Sequence, residues 1–146
     1  MPRNALQMSG LWTTRRFDGV TPPVCVLIVD DDDAMSAALE AALVTYGFRA
    51  SVANGGVCAV STPKVSTPHV VVLDIEMGEC DGFTVAGAMR DSSRFATIPI
   101  IAHTSLPEAE VVERGRQVEI DAFHRKGSSL LSLFRLIEYL APSVSA

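Results

Sequence analysis

With 146 residues, 48% of them hydrophobic and 20% charged, the chain has the length and composition of one globular domain with a real core. A net charge of −5 without a Lys/Arg-rich stripe argues against nucleic-acid binding, and no apolar stretch approaches the roughly 20 residues of a membrane span. Cys25, Cys58 and Cys80 form neither a CxxC nor a Cys/His ligand pattern, so a reducing, cytoplasmic setting is expected.

Residues 1–22 are expected to form a polar, flexible leader that ends at Pro22-Pro23. Thr14-Arg15-Arg16-Phe17 bears a faint likeness to a twin-arginine export signal, but the apolar run behind it is six residues long and meets four aspartates at once. One domain is expected over 23–141, with a tail over 142–146. Residues 24–29 read as a strand that runs into Asp30-Asp31-Asp32-Asp33. Met35, Ala38, Leu39, Ala42, Leu43 and Tyr46 then share one helical face, which Gly47 is placed to end. Residues 48–53 make a weaker strand, Asn54-Gly55-Gly56 a turn, and 57–62 a short helix before Pro63. A third strand, 70–73, closes on Asp74. Gly78 and Gly82 bracket a loop before a helix over 83–90. The fourth strand, 98–103, ends at Thr104, and Ser105-Leu106-Pro107-Glu108 has capping-box spacing for the start of the next helix. Residues 120–125 form a fifth strand leading into Lys126. A last helix spans 128–140, with Leu130, Leu133, Phe134, Ile137 and Leu140 on one stripe and Pro142 beyond it.

Hydrophobicity is continuous rather than alternating in the first, third and fourth strands, the mark of a parallel sheet covered on both faces. The expected fold class is therefore α/β, a single doubly wound five-stranded parallel sheet. In such sheets the functional crevice lies at the carboxyl ends of the strands, where Asp30, Asp31, Asp74, Thr104 and Lys126 all fall. Carboxylates crowded there repel, and some must take up protons unless a cation neutralises them. The pattern predicts a hard-metal site, and oxygen-only ligation suits Mg²⁺.

With these residues in place, the chain resembles the response-regulator receiver domain, the CheY-like module of two-component signalling, from about Val24 to Leu140. Val29-Asp30-Asp31 is similar to the family's acidic pair, and Leu73-Asp74-Ile75-Glu76-Met77 followed by Gly82 to its phosphoacceptor loop. Ala102-His103-Thr104-Ser105 is similar to its switch-hydroxyl segment, and Phe123-His124-Arg125-Lys126 to its aromatic-x-x-Lys segment. The offsets, 43 from Asp31 to Asp74, 30 on to Thr104 and 22 on to Lys126, agree with the family's spacing. The resemblance implies a (βα)5, flavodoxin-like fold with strand order 2-1-3-4-5. It implies that Asp74 accepts a phosphoryl group from a sensor histidine kinase or histidine phosphotransfer protein. It further implies that Asp31 binds Mg²⁺ directly, Asp30 chiefly through its water, and Glu76 through its backbone carbonyl. Lys126 and Thr104 would hold the phosphoryl oxygens, and Thr104 with Phe123 would form the conformational switch.

Two positions depart from the family pattern. Gly78 and Gly127 stand where prolines are usual, so a looser loop after Asp74 and a trans bond after Lys126 are expected, a non-proline cis bond costing about 2.5–4 kcal/mol. Glu76 adds a carboxylate near the attacking water's path and is expected to modulate the lifetime of the acyl phosphate. Asp32 and Asp33 read as helix-cap or solvated residues, and His103 and His124 as structural rather than phosphorelay histidines. Leu131, Leu136 and Tyr139 lie off the main stripe of the last helix and are a candidate partner or homodimer patch.

Six residues follow Leu140, too few for an effector domain. The first expectation is thus a stand-alone phosphoacceptor signalling domain rather than an enzyme, cytoplasmic, with neither nucleic acid nor membrane as a partner. Its unidentified protein output partner would dock on the face formed by the helix after Ser105, the fifth strand and the last helix. The alternatives are a haloacid-dehalogenase-like phosphohydrolase using Asp30 and Asp32, which lacks Thr or Val at Ala34, and a receiver-fold interaction module that never sees phosphate.

Overall fold

A computed structural model describes residues 8–55, 67–78 and 80–144. Five parallel strands, β1 (Cys25–Val29), β2 (Arg49–Ala53), β3 (Val70–Asp74), β4 (Ile100–Thr104) and β5 (Ala122–Arg125), form one sheet in the order β2-β1-β3-β4-β5. Among the described residues there are four helices, α1 (Asp33–Tyr46), α2 (Gly82–Asp91), α3 (Glu108–Gln117) and α4 (Leu130–Leu140). The doubly wound expectation and the strand order hold; the helix expected over 57–62 lies outside the described residues.

Every residue of β3 and β4 is buried, which is why their apolar runs are continuous. Edge strand β2 alternates instead, with Arg49 and Ser51 exposed. One core layer joins Leu27, Val29, Leu73, Phe83, Met89 and Val111 with α2 and α3, and the other joins Ile28, Leu39, Leu43, Val72, Leu133 and Ile137 with α1 and α4. Asp32 caps α1 by accepting from the Met35 amide at 3.0 Å, and Gly47, at φ 120°, ends it with two backbone bonds.

Three expectations need correction. The capping box at Ser105 and Glu108 does not form: Pro107 is the N-cap of α3, without a side-chain cap bond. The Ser105 hydroxyl goes to Glu76 at 3.2 Å and the Glu108 carboxylate to the Trp12 indole at 2.7 Å, so tertiary partners take both groups. On the last helix Leu130 is exposed, whereas Leu136, expected off the stripe, is buried, and Tyr139 packs on the core. Leu131 is exposed as expected.

Residues 8–22 are not the flexible leader expected of them. Residues 10–13 run along the free edge of β5, where Leu11 bridges Ala122 in antiparallel sense, and Val20 bridges Ser143 beyond the last helix. Trp12 joins the core layer of α2 and α3 while Met8, Leu11, Phe17 and Val20 pack against the other, so the segment sends neighbouring side chains to opposite faces as a strand does. The physical reason is the edge itself: an unpaired β5 would leave backbone donors and acceptors open.

Candidate functional site

Asp30 follows the last residue of β1 and Asp74 is the last of β3, and both carboxylates are buried, at 2% and 4% exposure. Asp31 is exposed at the rim. One carboxylate oxygen from each of the three lies within 4.8 Å of the others. Lys126, one residue past β5, places its ammonium 3.3 Å from both Asp30 Oδ2 and Asp74 Oδ1. The predicted acids and amine therefore converge from three different strand ends.

Backbone amides aim the carboxylates. Asp30 Oδ1 accepts from the Asp32 amide at 2.9 Å, Asp74 Oδ1 from the Glu76 amide at 3.2 Å, and Asp31 Oδ2 from the Gly78 amide at 2.8 Å. The last bond explains what Gly78 contributes, because a proline there would have no N–H to donate. The Lys126 amide donates to the Thr104 carbonyl at 2.8 Å, tying the ends of β4 and β5 together. The following Gly127 takes φ 90°, outside proline's range, on a trans bond.

Burial and then the neighbouring Asp30 charge push Asp74 up to about 6, against the opposing pull of Lys126. Burial alone would lower the Lys126 ammonium, but Asp74 and Asp30 raise it above its ordinary value. One ammonium thus holds two buried carboxylates with a third beside them, an oxygen-only donor set that suits a hard divalent cation.

Thr104 is fully buried at the end of β4. Its hydroxyl accepts from the Leu106 amide at 3.2 Å and donates to Glu76 Oε1 at 3.4 Å. Glu76 thus reaches across the crevice to Thr104 and Ser105. Phe123 is buried in the core layer of α2 and α3, where it stacks on Trp12 with centroids 5.8 Å apart and planes 13° apart. His103 and His124 are buried and stacked at 5.3 Å. Burial, then His124 and Lys126, drive His103 down to about 3, so it is neutral. Trp12 and Gly115 were not singled out in the sequence; an indole beside Leu11 in a polar leader was the available signal for the first.

The response regulator receiver domain family matches residues 26–138, and the chain belongs to that family. It is a CheY-like signalling domain of the two-component class. Response regulator PleD of Caulobacter vibrioides is 33% identical over 81 residues, 56% of this chain and 18% of that protein. Transcriptional regulatory protein PrrA of Mycobacterium tuberculosis is 42% identical over 72 residues, 49% of this chain and 30% of that protein. The chain thus spans less than a third of these curated relatives' length. Chemotaxis protein CheY4 of Vibrio cholerae shares the fold with a TM-score of 0.75 at 22% identity, covering 80% of this chain and 98% of that one. The receiver domain of a sensor histidine kinase from Pseudomonas aeruginosa, with magnesium ion coordinated in its active site cleft, does so at 0.72 and 21%, covering 82% and 98%. No helix among the described residues is long and apolar enough to cross a membrane.

Proposed function

We propose that the chain accepts a phosphoryl group on Asp74 from a histidine kinase or histidine phosphotransfer protein and signals through Thr104 and Phe123. The observation that carries this reading is the Lys126 ammonium, 3.3 Å from both Asp30 and Asp74 with Asp31 alongside. Phosphoryl transfer is mostly positioning and charge neutralisation, and a cation-lined carboxylate crevice supplies both. An Asp74 oxygen attacks phosphorus, the P–N bond to the donor imidazole breaks, and the leaving nitrogen takes up a proton. Asp30, Asp31, Asp74 and the Glu76 carbonyl would hold Mg²⁺, which would supply charge neutralisation at the phosphoryl oxygens. Lys126 then turns from its carboxylates to a phosphoryl oxygen, and Thr104 gives up Glu76 for another. That exchange is how Glu76 would modulate the adduct's lifetime: its carboxylate competes for the same hydroxyl.

Asp32 spends its carboxylate on the α1 cap and Asp30 is held by Lys126 and an amide, so the phosphohydrolase alternative finds no support in this geometry. Output through α3, β5 and α4 fits the position of Phe123 on β5. Incubation with Mg²⁺ and phosphoramidate, followed by intact mass measurement, tests the reading: one added phosphoryl group, absent in Asp74→Asn, is expected. Phosphomonoester turnover dependent on Asp30, or no adduct at all, would overturn it.

A further inference from the structure

The segment along β5 is more than an edge cover. The amides of Trp12 and Thr13 donate to the Asp121 carbonyl at 2.8 and 2.9 Å, and the Phe123 amide donates to the Gly10 carbonyl at 2.7 Å. These are the main-chain bonds of an added strand, the pattern by which sheet edges take up extended peptides. Specificity sits in one side chain. The Trp12 ring enters a notch that exists because residue 115, in the middle of α3, is glycine; a Cβ there would overlap the indole Cζ3. Gly10 is needed in the same way, since a Cβ on it would overlap the Phe123 carbonyl oxygen. Two glycines, 105 positions apart in sequence, thus shape the two sides of one contact.

The Trp12 indole meets Gly115 and Glu108 on α3 and Phe123 on β5. Glu108 lies four residues past Thr104, in the first turn of α3. A side chain seated on the two elements beside the switch hydroxyl is placed to respond to it. The contact is also built for release. Asp121, which Arg15 reaches at 2.9 Å, keeps Arg90 at 3.0 Å on its other oxygen when Arg15 leaves. A cavity of about 130 Å³ lies beside the segment, lined by Gly10, Glu108, Phe123, Arg125 and Leu136.

We propose that the α3–β5–α4 face is a docking surface for an extended, tryptophan-bearing segment, that the resting chain fills it with its own residues 10–17, and that phosphorylation of Asp74 releases them. The trigger rests on the receiver reading above; the occupancy does not. Drawing Thr104 towards a phosphoryl oxygen shifts the start of α3, which carries Glu108, and opens space for Phe123 to turn inward. Trp12 then loses its hydrogen bond and its stacking partner together. The face so bared has open β5 donors, the Gly115 notch and the Asp121 carboxylate for whatever binds next.

Trp12 is the chain's one tryptophan, so its emission reports the contact directly. The probe is a synthetic peptide of residues 8–17, offered to the full chain in three forms: wild type, Trp12→Ala and Gly115→Ala. A tethered segment acts at an effective concentration of roughly millimolar, so wild type should exclude the peptide while Trp12→Ala binds it about tenfold or more tightly by comparison. In that variant the peptide's own indole, blue-shifting on capture, is the only indole and is excited selectively over Tyr46 and Tyr139. Gly115→Ala keeps the reporter and improves helix propensity; its indole should be red-shifted and open to iodide quenching. Phosphoramidate treatment of wild type, with the adduct verified by mass, should produce the same red shift and the same gain in peptide capture. Equal peptide binding by wild type and Trp12→Ala would overturn the occupancy. A verified Asp74 adduct with unchanged Trp12 emission would overturn the trigger while leaving the receiver reading intact. Absence of any adduct would end the receiver reading and the trigger with it, and peptide capture by Trp12→Ala would still uphold the occupancy.

Discussion

The carboxyl-end crevice and the free edge of β5 lie at two borders of the same sheet and are completed in opposite ways. In the crevice, two buried carboxylates share one ammonium beside a third carboxylate at the rim, and Asp74 is pushed up to about 6. At the edge, the Phe123 amide and the Asp121 carbonyl meet partners from residues 10–13, and the buried Asp121 carries a guanidinium on each oxygen. The first border is left in electrostatic tension that a proton or a divalent cation would relieve. The second is relaxed by the chain itself. The contrast separates what a site must leave open from what the fold can close.

The strongest way to break the comparison is to remove the tension. Asp74→Asn should abolish the phosphoryl adduct altogether, as read by intact mass. In metal-free buffer near neutral pH it should also raise the thermal midpoint by about 2–4 °C, because one of the repelling buried charges is gone. A fall in the midpoint would mean that Lys126 stabilises the pair more than the carboxylates oppose each other.

The matching change at the edge is Trp12→Ala. Truncating a tryptophan fixed in a core costs about 3–5 kcal/mol. A segment that can lift away loses only its docking free energy, so denaturant unfolding should show a loss of about 1–2 kcal/mol. A loss in the full core range would place residues 8–17 among the permanent parts of the fold.

These borders differ as much in how they read from sequence. Asp30, Asp31, Asp74 and Thr104 were legible because each ends or follows a continuous apolar run, Lys126 because it follows the fifth strand, and a parallel sheet leaves only one place for such ends to meet. Strand order 2-1-3-4-5 came with the family's spacing. The edge was illegible because its partner is a short segment whose Thr13, Thr14, Arg15 and Arg16 read as solvated. Leu136 held a clue, since it lies off the main stripe of α4 yet is apolar, and the structure buries it beside Gly10. Ser105 and Glu108 misled for the complementary reason: their spacing satisfies a local capping rule, but Glu76 and Trp12 bind them first. Local rules read local partners, and both errors involve contacts from far along the chain.

Acid titration sharpens the contrast, because two buried groups near the crevice respond with opposite sign. Asp74, raised from 3.8 to about 6, binds its proton more tightly folded than unfolded. Its effect on stability is therefore a loss as pH rises from about 4 to about 6. His103, lowered from 6.5 to about 3, is protonated first in the unfolded chain. Its effect is a loss as pH falls below about 6.5 towards 3. The metal-free protein should show both limbs in urea unfolding. Asp74→Asn should remove the first and His103→Leu the second. Mg²⁺ binding needs the Asp74 carboxylate ionised, so its apparent affinity should weaken by up to about tenfold per pH unit below 6. A pH-independent affinity between pH 5 and 7 would mean that Asp74 is not a ligand.

The smallest expected effect tests where tension passes from the crevice towards the edge. Glu76 Oε1 takes the Thr104 hydroxyl at 3.4 Å and the Ser105 hydroxyl at 3.2 Å, both on the connection that leads into α3. A charged acceptor holds a hydroxyl more strongly than a neutral amide does, by about 1 kcal/mol. In Glu76→Gln the hydroxyl should therefore pass more readily to the phosphoryl oxygen, and the negative charge near the path of the attacking water is removed. The adduct, followed by mass after removal of phosphoramidate, should decay more slowly by about two- to fivefold. Trp12 emission should reach the released value at a lower fraction of adduct, because Glu76 holds Thr104 in the arrangement that seats Glu108 under the indole. Decay and emission that both match wild type would confine Glu76 to Ser105 and leave Thr104 free of it.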